Sequence, residues 1–380
     1  MGAVGLAALA LGGILGDPSG AFRAYLVGYA FWLGLALGSI GVVFIQFLTG
    51  GMWGLLTRRV FEAGAATLPL FAVLFVPLLF GLPRLYIWAQ PDAVAADPIL
   101  QHKALYLNVP FFIIRAAIYL VVWCMLALRL RRLSAAHDRG PDTGEHSLAA
   151  LRALQTFSVV GVLILALTVS FAAIDWLMSL DADWYSTMYP PLVGAGHLLL
   201  ALACGIVVAT RLAPSTVLRD IATPRIWNDL GSLLLAFLML WAYMAYFQYL
   251  LMWAGNLSDE IPWYLRRIDG GWRAVAVVLA VLGFGVPFCG LLFRPLKRNP
   301  RTLALIAALI AIMQVVNVYW LAAPPFAPDG PRLDWLPAAA VVGVGGVWVA
   351  AFSWQLATRP LLPLRDPRLV PAVEAAREPG

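Results

Sequence analysis

The chain has 380 residues, of which 62% are hydrophobic and 12% charged, with a formal net charge of +6 and a mean hydropathy of +0.84. A soluble domain charges about a quarter of its residues, so this composition excludes a soluble enzyme. The basic residues are scattered over short segments, which also excludes a nucleic-acid face, where they would gather on one side of a soluble fold.

Apolar runs long enough to cross a hydrocarbon core of about 30 Å as helices fall at residues 1–16, 25–48, 67–88, 106–128, 153–179, 189–210, 230–254, 272–293, 302–323 and 335–357. Alternating segments of the barrel kind are absent, so backbone groups facing lipid must be satisfied within helices. The expected fold is therefore an all-α integral membrane protein with about ten transmembrane helices, arranged as two four-helix bundles bracketed by a terminal helix each. In chain order these are an N-terminal helix (1–24), a first four-helix bundle (25–180), a second (181–323), a last transmembrane helix (324–357) and a cytoplasmic tail (358–380). An acidic turn around Asp181 and Asp183 separates the bundles. The first run is short and Gly-rich, but no Lys or Arg precedes it, which favours an anchoring helix over a cleaved signal. Residues 358–380 hold five prolines among mixed charges and read as a tail or a docking strap.

Lys and Arg counted by segment set the expected orientation. Segments 49–66, 129–152, 211–229 and 294–301 with the tail carry 18, the opposite set carries 7, and Arg115 lies inside a span. Cationic loops stay on the cytoplasmic side, so a bacterial inner-membrane protein with both termini cytoplasmic is expected. The sequence pI of about 9.4 then reports topology.

Cys124, Cys204 and Cys289 each stand alone in an apolar run, without the paired spacing of a redox or haem-attachment motif. Of the four histidines only His197 lies in a span, so the two facing histidines that cradle a membrane haem are not both present. No phosphate-binding glycine loop is found. The expectation is that the chain itself holds no metal, haem or nucleotide.

Ionisable groups inside a membrane are costly and are functional candidates by default. Arg115, Asp175 and His197 fall at a similar depth in the outer halves of the fourth, fifth and sixth spans. Asn108 and Tyr119 flank Arg115 on one helical face. Tyr243, Tyr246 and Gln248 occupy the outer half of the seventh span, and Gln314, Asn317 and Tyr319 that of the ninth. The inner halves offer nothing ionisable. Asp175, His197 and Arg115 are expected to form one hydrogen-bonded constellation with Tyr243 and Tyr246 close by, as a proton path or a site for a quinol head. The alternative is packing: Arg115 with Asp175 as a charge pair locking adjacent helices, and His197 as a satisfied core residue.

Several segments carry a family resemblance. FLTGGMWGLLTRRVFEAG from Phe47, LPLFAVLFVPLLFGLPRLYIWA from Leu68 and KALYLNVPFFIIRAAIYLVVW from Lys103 resemble early spans of the polysulfide-reductase/NrfD-like membrane subunits of alternative complex III. DWLMSLDADWYSTMY (Asp175 to Tyr189) and WAYMAYFQYLLMWAGNLSDEIPWYLRRIDGGW (Trp241 to Trp272) resemble that family's Asp-Trp-x-Met-Ser-Leu turn and its Tyr-rich span with the Gly-Asn-Leu loop. Among these subunits the smaller one, the F subunit, is the most similar. One departure is that Ser258, Asp259 and Glu260 follow Leu257, where the family has Pro and two Glu. The resemblance implies a subunit of a respiratory quinol:cytochrome c oxidoreductase that carries no cofactor itself. Haem c and iron–sulfur clusters would sit on multihaem cytochromes c and an iron–sulfur subunit. Quinol oxidation would belong to a larger NrfD-like sister subunit, with a terminal oxidase and lipids as further partners. Asp259 and Glu260 are the outer-loop acidic candidates. A secondary transporter, whose sites lie near the midplane of repeated halves, and a purely structural scaffold are the rival readings.

Overall fold

The computed structural model describes residues 2–139, 144–215, 218–258, 260–331, 334–363, 366 and 369. Among them nine helices are long and apolar enough to cross a membrane. The protein is an all-α integral membrane protein. A short helix α1 (Gly2–Leu15) comes first. The spans follow as α2 (Pro18–Thr49), α3 (Trp53–Phe80), α4 (Val109–Asp138), α5 (Leu148–Leu180), α6 (Tyr189–Leu212), α7 (Pro224–Gly255), α8 (Trp272–Leu292), α9 (Pro300–Ala322) and α10 (Leu336–Ala357).

Local chemistry sets the ends. Proline stands in the first turn of α2, α6, α7, α9 and α10, where its missing N–H costs nothing. The Thr223 and Asn299 side chains accept from Ile226 and Arg301 backbone N–H groups at the starts of α7 and α9. Gly50 (φ 72°) closes α2 and Asn256 (φ 44°) closes α7 in the left-handed region, the usual way to satisfy terminal carbonyls. In α8, Leu279–Gly285 forms a π-helical turn just before Pro287. A proline ring would clash with the carbonyl four residues earlier, and the wider turn relieves that crowding.

Two expected spans differ. The 14 residues of α1 cover about 21 Å at 1.5 Å per residue, too little to cross alone. The expected 67–88 span instead starts at Trp53 and ends at Phe80, and four short helical segments between Leu82 and Lys103 follow it. Residues 53–65 are buried along their whole length, so the stretch containing Arg58, Arg59 and Glu62, expected as a loop, is buried helix continuous with the span.

The helices pack as two rings. α2 touches α3 and α5, α3 touches α4, and α4 touches α5; likewise α6 touches α7 and α9, α7 touches α8, and α8 touches α9. α2 and α6 meet in the middle, α10 packs on α2 and α3, and α1 lies on α10. The α1–α10 seam is made of small residues: a Cβ on Gly5 would lie 2.6 Å from the Gly343 backbone, the close approach that lets membrane helices associate without a hydrophobic driving force. Outward positions such as Leu163, Leu167, Leu251, Leu305 and Ile312 are exposed, which suits a lipid-facing surface.

Candidate functional site: two buried ionic clusters

The first cluster joins α4 to α5. Arg115 Nε donates to Asp175 Oδ2 at 2.8 Å and Nη2 to Oδ1 at 3.0 Å, a two-pronged fork. Tyr119, one turn along α4, adds its hydroxyl to Oδ2 at 2.9 Å. The remaining guanidinium face is also used: Nη1 donates to the Tyr106 carbonyl at 2.9 Å, and the Tyr106 and Phe111 rings lie 3.8 and 4.3 Å from the guanidinium carbon. Asp175 is fully buried. The adjoining Trp176 ring contacts Tyr29, Phe75, Tyr119 and Trp123, so aromatic rings sheathe the pair on the side of the bundle core. Burial, then the Asp175 carboxylate, pushes the Tyr106 phenol up. Planar bidentate pairing of this kind is the strongest form of ion pair and fixes the two helices in register.

Beyond the helix ends the two rings are clasped together. Arg266 reaches Asp181 at 2.7 Å and Arg267 stands 3.7 Å from its second oxygen, both from the short helix Pro262–Ile268. Trp184 and Trp263 stack with centroids 4.6 Å apart, and Trp184 Nε1 donates to the Glu260 carbonyl at 3.2 Å. Arg267 is buried; burial lowers its guanidinium to about 10, still cationic at neutral pH. Its other supports are the Trp263 ring at 3.5 Å and the Leu321 carbonyl at 3.0 Å.

The second cluster sits at the opposite end of the first ring. Glu62 on α3 receives Arg59 Nη1 at 2.6 Å and the Ser134 hydroxyl at 2.9 Å. Arg59 also donates to Ser134 at 2.9 Å and to Asp138 at 2.6 Å. Arg359, just past α10, approaches Glu62 at 3.6 Å and donates to Ser134 at 3.3 Å. Arg58 pairs with Asp366 in the tail at 2.9 Å. Of the expected tail, this contact is described, while residues 370–380 lie outside the described residues. His137 is buried, and among the described residues neither ring nitrogen has a hydrogen-bond partner. Arg59 and Glu62, in a segment expected as a loop between spans, lie three apart in sequence and fold onto one face of helix. On α4, Arg115 and Ser134 are separated by about 28 Å at 1.5 Å per residue, close to a full hydrocarbon thickness.

The structure brings Arg115 and Asp175 together but not the wider constellation. His197 is partly buried and faces α2, where its ring lies against Gly34 and its carbonyl against Gly38; among the described residues its Nδ1 has no partner. A side chain at Gly38 would collide with that carbonyl, so the glycine is what lets α2 and α6 cross. Tyr243 and Tyr246 are on the exposed face of α7, in ring contact with Phe247. Gln248 is buried with both amide atoms unpartnered among the described residues, whereas Asn317 donates to Gln314 at 3.2 Å. Glu260 is partly buried and Asp259 lies outside the described residues. Asp181, in the acidic turn between the rings, is buried by its arginines. Among the described residues no three His, Cys, Asp or Glu side chains gather as metal ligands. No protein-family model matches the chain, and no curated protein matches it either.

Proposed function

We propose that the chain is a cofactor-free membrane subunit of a respiratory quinol:cytochrome c oxidoreductase of the alternative complex III kind, lying in a bacterial inner membrane with both termini cytoplasmic. It would support quinol oxidation by a larger sister subunit and contribute to proton conduction, with multihaem cytochromes c and an iron–sulfur subunit as partners. The observation that carries this reading is the employment of the family-like segments. The stretch from Asp175 to Tyr189 supplies the carboxylate of the first cluster, the aromatic sheath and the clasp with Trp263, all at one end of the molecule.

Ionisable clusters at both ends of one helix ring are what a proton route needs at its mouths. Between them the ring is largely apolar and aromatic, with Trp123 donating to Thr168, so water would have to carry the intervening steps. The fork on Asp175 argues that this residue holds Arg115 and Tyr119 in position. His137 and Glu62 are the groups at the other mouth.

Blue-native electrophoresis of solubilised membranes tests the assignment. Co-migration with multihaem c-type cytochromes is expected; a solitary band accompanied by solute flux in proteoliposomes would establish the transporter reading instead. Within the assembled complex, Glu62→Gln and His137→Gln should lower proton release per electron. Unchanged assembly, quinol oxidation and proton release in both variants would reduce the clusters to scaffolding. Orientation is tested by labelling Asp183→Cys, an exposed position, with an impermeant maleimide in spheroplasts; labelling only after lysis would reverse it.

A further inference from the structure

Between α3, α4 and α10 a cavity of about 340 Å³ opens on the outer surface of the first ring, lined by Leu70, Leu128 and Trp354 together with Thr67, Arg131 and Gln355. It adjoins a smaller pocket that shares Arg131 and Gln355 and reaches Arg59, Glu62 and Arg359. The slot is therefore apolar along its length and cationic at one end. Its volume is within the roughly 300–1,000 Å³ of ligand sites. Trp354 and Leu128 are exposed at its rim, on a surface that lipid covers.

The charges at its head are unequal. Arg58, Arg59 and Arg359 each face a carboxylate, Asp366, Glu62 or Asp138. Arg131 makes no ion pair among the described residues. It is partly buried and lies beside Arg359, which donates to its carbonyl at 2.9 Å. Burial, and then Arg59 and Arg131, lower the Arg359 guanidinium, against the opposite pull of Glu62 and Asp138. A second cation next to a network already balanced by its own carboxylates calls for an anion from outside.

We propose that this cleft is a binding site for an anionic phospholipid, with the phosphate at Arg131 beside Arg359 and an acyl chain along Leu70, Leu128 and Trp354. Basic pockets between membrane helices recognise such headgroups, and the guanidinium fork matches a phosphate. The Trp354 ring takes the boundary position that indoles favour. A free phosphate would find the arginine but leave the slot empty, so the lipid is the occupant that uses both halves.

Native mass spectrometry of the purified full chain, titrated with phosphatidylglycerol or phosphatidylcholine in detergent, tests the site. Phosphatidylglycerol should bind at least about tenfold more tightly, the scale of one charge-assisted contact. Arg131→Gln should remove that preference, Arg131→Lys should retain part of it, and Trp354→Ala should weaken both lipids. Arg129→Gln, an exposed charge outside the cleft, should change nothing. Equal affinity for the two lipids, or a preference that survives Arg131→Gln, overturns the proposal. So does thermal stabilisation by inorganic phosphate equal to that by phosphatidylglycerol. If Arg131→Gln does not fold, Leu128→Cys carrying a photoreactive maleimide must capture phosphatidylglycerol in preference to phosphatidylcholine; equal capture counts against the site.

Discussion

The two ends of the first helix ring solve the same electrostatic problem differently. At one end a single carboxylate, Asp175, is gripped by a single arginine through both oxygens and sealed under aromatic rings. At the other, Glu62 is shared among Arg58, Arg59, Arg359 and Ser134 beside an open cavity. A closed one-to-one pair has no reserve, because loss of either partner strands a buried charge. A shared network redistributes its contacts and admits water. The first arrangement suits a fixed fastening, the second a group that exchanges partners.

Breaking the fastening should give the largest effect. Arg115→Met is expected to cost about 3–5 kcal/mol in thermal or denaturant unfolding of the detergent-solubilised chain, the range for an orphaned buried charge. Arg115→Met combined with Asp175→Leu should recover most of that loss, and a double variant no better than the single would show that the pair is not the source. Glu62→Gln comes next, at about 1.5–3 kcal/mol, since Asp138 and Asp366 continue to balance the arginines. An effect of Glu62→Gln equal to that of Arg115→Met would erase the distinction between the ends. Tyr119→Phe removes one hydrogen bond to a carboxylate that keeps its fork, and about 1–2 kcal/mol is expected. Smallest is Arg359→Gln, whose partly exposed guanidinium sits at the edge of the network; a loss within about 1 kcal/mol is predicted. The same unfolding assay ranks all four, and any reversal of order between the first and last breaks the comparison.

The legibility of these ends in the sequence also differs. Arg115 and Asp175 are conspicuous because each interrupts an apolar run, and their pairing follows from α4 and α5 being consecutive antiparallel helices. Arg58, Arg59 and Glu62 escape because TRRVFEAG, preceded by a Gly-Gly pair and followed by Leu-Pro, has the composition of a loop. Only the partners contributed by α4 and by the segment after α10 make that stretch affordable inside the fold. Two signals were present: the Arg-x-x-Glu spacing that fits one helix face, and the Ser134–Asp138 spacing on α4 that matches it. The side on which a residue falls was harder to read. Tyr243 and Tyr246 share a face of α7, but sequence does not reveal whether that face turns to a neighbour or to lipid. The direction of the His197 side chain is set by glycines on α2, some 160 residues earlier.

The seam between α1 and α10 has a consequence for the order of events during synthesis. α2, the helix at the centre of the molecule, is finished early, yet one of its walls is α10: the Trp32 indole donates to the Val341 carbonyl at 2.8 Å, and Trp32 stacks on Trp348 at 5.0 Å. In α1, Gly2 and Gly5 likewise find their close approach on α10. As a ribosome delivers the chain from one end, both surfaces must wait in the bilayer, provisionally covered by lipid or an insertion factor, until the last span arrives. Closure of the fold is therefore tied to completion of the ninth crossing, and a nascent chain that stalls before residue 336 would display an unsealed central helix, a mark by which membrane proteases could tell it from a finished one.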